Sequence, residues 1–203
     1  MLRRWRQPTP LTSWWEPHDR EQLEHLLRAA SSIAEVTDLV VIGSQSILGT
    51  YPEWELPHEA TMSVEADIAI DADLARLDVA ADETELADKI DGAIGEGSMF
   101  HRTHGYYAQG VETATAVLTV GWRDRLVPVI CETADPVAVG WCLERHDLWV
   151  AKASAGREKD WDFCRALARA GLVDRDPCLE RIQLLSAPDR RRAEGVLSAS
   201  FKT

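Results

Sequence analysis

The hydrophobic pattern changes period several times along the chain. In "DREQLEHLLRAASSIA", Leu23, Leu26, Leu27, Ala30 and Ile33 recur at helical spacing behind Asp19, which can cap a helix N-terminus. "DLVVIGS" is a short apolar run ending in a Gly-Ser turn and predicts a buried strand, with a helix of one to two turns over "QSILGTY". "EWELPHEAT" predicts a proline-interrupted loop, "EADIAID" alternates like a strand, and "DETELADKIDGAIG" returns to helical spacing. "GYYAQGV" and "TATAVLTV" predict a hairpin or two strands, joined through "GWRDR" to a further strand, "LVPVIC".

Beyond about residue 135 the pattern is helical. "HDLWVAKASA" and "EKDWDFCRALARAGLVD" predict two helices separated by Gly156, the second closed by Gly171 with Leu172 folding back. A short helix around "DPCLERIQLL" and a basic tail, "DRRRAEG", finish the reading. The expected fold class is α+β: a small mixed sheet with flanking helices over 1–135, and a C-terminal helical part over 136–203 packed on it.

Composition narrows the classes of function. The 203 residues carry a net charge of −12, so no overall field draws the chain onto nucleic acid or an anionic membrane. No apolar run approaches the roughly 18 residues of a membrane span, and the expected location is cytoplasmic. The four cysteines form no CxxC pair and the six histidines no ligand spacing, which predicts small buried thiols and no zinc site.

Three stretches carry candidate chemistry. Gly43 and Ser44 form a turn where backbone and hydroxyl are open to a phosphate. Glu65 and Asp67, two apart on a strand, project from one face, while Val64, Ala66 and Ile68 turn to the core. Two acids so close repel each other, an arrangement suited to a divalent cation between them. In "KASAGREKDWDF", Lys152 and Arg157 offer positive charge to a polyphosphate, and Asp160 can orient Lys152. Taken singly, each has a plainer reading: a bare turn, a solvated strand edge, a surface helix laced with ion pairs.

Together these stretches resemble the polymerase-β-type nucleotidyltransferase superfamily. "KASAGREKDWDF" and "GWRDRLVPV" look most like an uncharacterised bacterial nucleotidyltransferase-like family related to the AbiEii and MenT toxins. The resemblance implies that Gly43 and Ser44 hold the phosphates of an NTP and that Glu65 and Asp67 carry one or two Mg²⁺ ions. Lys152 would neutralise the triphosphate, Asp160 would position Lys152 or the nucleotide, and Arg157 would assist in nucleotide binding. The implied reaction moves a nucleoside monophosphate to a hydroxyl of RNA, protein or a small molecule. A tRNA 3′ end is the most concrete acceptor, in a toxin–antitoxin setting with an antitoxin partner. A third carboxylate is expected on a later strand, with Glu112 nominated ahead of Asp124. A noncatalytic nucleotide-binding or regulatory protein on the same scaffold is the alternative. The leading reading requires the turn, the acids and Lys152 to face one cavity.

"FHRTHGYY", the arginines at 190–192 and the loop residue Trp54 are secondary candidates for RNA contact; packing and a solvated tail are their plainer readings.

Overall fold

The computed structural model describes residues 19–77 and 82–201. Its centre is a five-stranded mixed sheet in the order β3-β2-β1-β5-β4. The strands are β1 (Asp38–Val41), β2 (Glu65–Ala69), β3 (Tyr107–Val111), β4 (Val127–Cys131) and β5 (Ala138–Cys142). β1 runs antiparallel to β2 and parallel to β5; β2 and β3 are parallel, β4 and β5 antiparallel.

Helix α1 (Arg20–Ala34) begins at Asp19 with a reciprocal capping box to Gln22 and buries Leu23, Leu26, Leu27 and Ala30, the face expected from its spacing. It lies close on the sheet: a Cβ on Gly140 of β5 would stand 2.4 Å from Leu27 Cδ1. One-turn helices α2 (His58–Thr61) and α3 (Ala72–Ala75) flank β2. Helix α4 (Glu83–Ile94) follows Asp82 and approaches β3 so tightly that a Cβ on Gly110 would stand 1.9 Å from the Ala87 carbonyl oxygen. Ile68 and Gly110 are register partners, so the face they share is the one α4 covers, and Asp67 with its partner Gln109 must face the other way.

The strand order puts β3 and β4 at opposite edges, so the chain between them must cross about 19 Å of sheet, four strand spacings. It crosses on the Asp67 face. This is why "TATAVLTV" is no strand despite its composition: Thr113–Thr115 is a 3-10 turn, and the following residues pack onto the core without a ladder partner. The strand over 138–142 was not expected at all. It lies between β1 and β4, so the sheet takes in residues on both sides of position 135.

A short helix α5 (Met99–His104) precedes β3. After β5 come α6 (Arg145–Ala155), α7 (Glu158–Arg169), α8 (Arg175–Ile182) and α9 (Ala187–Ser200). Gly156, at φ +81°, breaks α6 from α7, and Gly171 at φ +69° closes α7, with the Leu172 N–H donated to Leu167 O at 3.0 Å. The expected basic tail is instead a helix of 14 residues, α9, that buries Ala193, Val196 and Leu197. Arg190 donates to the carbonyls of Gln183 and Leu185, and Arg192 to that of Ser154, so much of the basic run is spent on helix ends.

"GWRDR" acts as a double clamp. In its 3-10 turn, Trp122–Arg125, the Arg123 guanidinium donates twice to Asp71 Oδ2, at 3.0 and 2.6 Å, just past β2. Arg125 donates to both oxygens of Asp147, at 2.6 and 2.9 Å, in the first turn of α6. Thr119 Oγ1 also donates to Asp147, at 2.5 Å. Both acids are buried, at 2 % exposure each. The exit of β2 and the start of α6 are thereby held to one loop, which sets the strand bearing Asp67 against the helix bearing Lys152.

Candidate functional site

β1 ends at Val41 and the chain turns through Ile42 and Gly43 into a 3-10 helix, Ser44–Gly49. The turn is tied down from both sides. Ser46 donates its N–H to Gly43 O at 3.0 Å and its hydroxyl to Val41 O, while Gln45 donates its amide to Ser63 O at 2.5 Å. The Ile42 N–H donates to Asp67 O at 3.1 Å, which seats β2 alongside the turn. A Cβ on Gly43 would stand 1.7 Å from Asp67 Oδ2. Its φ of −86° is open to any residue, so space rather than backbone conformation requires glycine here.

Glu65 and Asp67 share one face of β2 and interact directly. Burial raises the Glu65 carboxyl above its ordinary range, the charge of Asp67 raises it further, and Lys159 and Tyr107 oppose the shift. Tyr107, the register partner of Glu65, lies with its hydroxyl 3.4 Å from Glu65 Oε2. Burial, then the neighbouring Glu65, pushes the Tyr107 phenol up to about 12, so it stays a hydrogen-bond donor. Val64, expected in the core, lies ahead of β2 and is 40 % exposed; Ala66 and Ile68 are fully buried as expected.

Lys152 comes from the last turn of α6, its side chain only 12 % exposed, with Nζ 3.2 Å from Oδ1 of the buried Asp160. Arg157 donates Nε–H to the other oxygen of Asp160 at 2.5 Å. The buried acid thus orients two cations from the α6–α7 corner.

Two cavities meet at Lys152. One, of about 280 Å³, is lined by Gly43, Asp67, Gln109, Thr115, Lys152 and Arg157, with small apolar walls from Val117 and Ala151 among others. The other, of about 590 Å³, is lined by Ser44, Met62, Lys152, Lys159, Asp160 and Arg169, among others. The consecutive residues Gly43 and Ser44 therefore open to different cavities, with Lys152 common to both. Of the residues named from sequence, Gly43, Asp67, Lys152 and Arg157 come together in the first, and Ser44, Lys152 and Asp160 in the second; Glu65 joins them through Asp67.

The nominated third carboxylate is not in this group. Glu112 has the opposite strand parity to Gln109, is exposed, and accepts a hydrogen bond from Thr84 Oγ1 of α4 at 2.9 Å. Asp124 is exposed in the clamp turn. The position on β3 in register with Asp67 is Gln109, and no cluster of three or more His, Cys, Asp or Glu side chains suited to a metal forms among the described residues. Sequence reading missed Gln109 because its relevance comes from register, not from a motif, and missed Thr115 because the crossing segment looked like a strand.

The secondary candidates lie in packing or at the surface. His25, Phe100, His104 and Tyr106 form a ring cluster, with His25 Nδ1 2.8 Å from Tyr106 Oη. Trp54 is 77 % exposed on a 3-10 turn. The four cysteines are buried free thiols, as expected. Among the described residues no helix is long and apolar enough to cross a membrane.

A family described as "Nucleotidyltransferase of unknown function (DUF6036)" matches residues 21–184. The chain belongs to that family. The family match takes in every residue of the two-cavity site and ends before α9. No curated protein and no solved structure matches the chain. Membership makes this a nucleotidyltransferase-type protein, with an NTP as the substrate the family implies.

Proposed function

We propose that this protein transfers a nucleoside monophosphate from an NTP to a hydroxyl acceptor in a Mg²⁺-dependent reaction. One observation supports this above the rest: Gly43, Asp67 and Lys152, from three distant parts of the chain, line a single cavity. Glu65 and Asp67 offer only carboxylate oxygens; burial and then the charge of Asp67 raise the Glu65 carboxyl, and the repulsive part is a cost that a cation would relieve. That donor set fits Mg²⁺, which takes one or two protein carboxylates and completes its shell with water and substrate phosphate oxygens. When bound, the ion neutralises phosphate charge and makes the attacking hydroxyl easier to deprotonate.

The chain's own residues bind and orient. Glycine at 43 makes room for the Asp67 carboxylate against the turn, and Ser44 offers its backbone and hydroxyl to phosphate oxygens from the larger cavity. Lys152, held by Asp160, faces both cavities and balances polyphosphate charge wherever it develops in the transition state. Lys159, close enough to lower the Glu65 carboxyl and lining the larger cavity with Ser44, adds a second cation on that side. Nucleotidyl transfer needs mainly such positioning and charge balance, with little covalent work from the protein.

The experiment is to incubate the full chain with Mg²⁺, labelled NTPs and either total RNA or a lysate, and to follow labelled acceptors. Wild type should label an acceptor and Asp67→Ala should abolish labelling. Absence of labelling together with absence of NTP binding by calorimetry would sink the proposal. A tRNA 3′ end, and an antitoxin partner, are the acceptor and regulator that the toxin resemblance suggests.

Gln109 favours a second reading. An amide beside Asp67 supplies no third acid, which suits a protein that binds nucleotide without turning it over. Mg²⁺-dependent NTP affinity without transfer would select it.

A further inference from the structure

In-line displacement puts the attacking oxygen and the departing pyrophosphate on opposite sides of the reacting phosphorus. The two cavities share Lys152, and the consecutive residues Gly43 and Ser44 open one to each. Their linings differ in kind. The larger is lined by four cations, Lys152, Lys159, Arg165 and Arg169, and by three acids, of which Asp160 pairs with Lys152 and Asp162 with Arg165; Lys159 and Arg169 are the cations it offers a polyphosphate beyond those pairs. The smaller contains Asp67, the uncharged polar groups of Gln109 and Thr115, apolar walls and Arg157, and shares Lys152 with the larger.

Resting on the transferase reading above, we infer that the smaller cavity is the acceptor side, that Arg157 selects the acceptor, and that the acceptor is a small alcohol carrying an oxyanion, phosphate or carboxylate. Arg157 was expected among the nucleotide-binding residues, but it shares its cavity with Asp67 and Gln109, while Lys159 lies on the Ser44 side. Its Nε–H is fixed on Asp160, and its side chain is 59 % exposed, leaving guanidinium donors for a planar oxyanion in a pre-set orientation. At about 280 Å³ the cavity is below the roughly 300 Å³ where pockets for drug-sized ligands begin, so it admits one small molecule or group.

The charge distribution argues for a small anion over a polyanion. The chain carries −12 overall, and Arg190 and Arg192 are bonded to backbone carbonyls, which removes them from a continuous phosphate track. The transfer balances without another reactant: the acceptor oxygen forms a bond to the α-phosphorus, the bond to the β-phosphate bridge oxygen breaks, pyrophosphate leaves, and the hydroxyl proton passes to solvent.

The test is calorimetry on the full chain. Nonhydrolysable analogues of ATP, GTP, CTP and UTP are titrated first with Mg²⁺, and the analogue that binds is kept saturating. Ribose 5-phosphate and glycerate are then titrated against their uncharged counterparts, ribose and glycerol. At least one anionic probe should bind ten-fold or more tightly than its counterpart, and which one does distinguishes phosphate from carboxylate. Arg157→Ala should erase that preference while changing the NTP-analogue Kd less than two-fold, Arg157→Lys should retain part of it, and Lys159→Ala should weaken the analogue and spare the probe. Circular dichroism verifies that each variant is folded. Equal binding of charged and uncharged probes overturns the inference, as does loss of the NTP analogue in Arg157→Ala. Tight binding of a single-stranded RNA oligonucleotide that survives Arg157→Ala overturns it in favour of a macromolecular acceptor. Failure of every NTP analogue to bind wild type, seen before any acceptor probe is added, removes the transferase reading itself.

Discussion

The carboxylate of Asp67 occupies the space that a side chain on Gly43 would need, with Oδ2 1.7 Å from the position of a Cβ. The two residues are 24 positions apart, and the backbone bond from Ile42 to Asp67 O keeps them in contact. Gly43→Ala therefore has to push the acid aside. Overpacking of this kind costs about 1–3 kcal/mol. The variant should stay folded with a lower Tm and lose at least ten-fold in Mg²⁺-dependent NTP affinity, as measured by thermal melting and calorimetry.

Glu65 gives a pH signature. Its folded carboxyl lies above the ordinary value of 4.5, so the native state holds its proton more tightly than the unfolded chain. That contribution is present below about pH 4.5 and is lost as pH rises through the raised folded value. Metal-free protein should lose stability over that window, Glu65→Gln should flatten the slope, and Mg²⁺ should stabilise wild type more than the variant. Urea titrations at several pH values, with and without Mg²⁺, read all three.

The Arg125–Asp147 clamp is bidentate, with the Asp147 carboxylate buried and Arg125 partly exposed. Arg125→Ala leaves the buried Asp147 with the Thr119 hydroxyl, at 2.5 Å, and the more distant Arg181, at 3.6 Å, and should cost about 3–5 kcal/mol. The double variant Arg125→Met, Asp147→Leu should recover part of it, because the buried acid is gone, while Arg181 loses its pairing with Asp147. Chemical denaturation of the single and double variants decides this.

Lys152 holds no fold-defining pair by itself, since Asp160 keeps Arg157 when it is removed. Lys152→Met, which keeps an unbranched apolar stem while removing the ammonium that lies 5.8 Å over the Phe163 ring, should leave Tm within a few degrees of wild type. Its NTP affinity should fall ten-fold or more by calorimetry, and unchanged affinity would remove Lys152 from the site.

Much of this protein is local and therefore legible. Asp19 and the spacing of Leu23, Leu26, Leu27 and Ala30 specify α1; the alternation of "EADIA" specifies β2 and puts Glu65 and Asp67 on one side of it; Gly156 and Gly171 mark where α6 and α7 stop. These follow from side-chain period and backbone sterics within a few residues, which any sequence window contains. Strand order is of another kind. It sent residues 112–126 across the sheet, turned a β-like run into a cavity wall, brought Gln109 beside Asp67 and not Glu112, and divided Gly43 from Ser44 between two cavities. Those outcomes depend on which distant surfaces pack together, so the chemistry of the residues was readable one by one while their division between two cavities was decided only by tertiary structure.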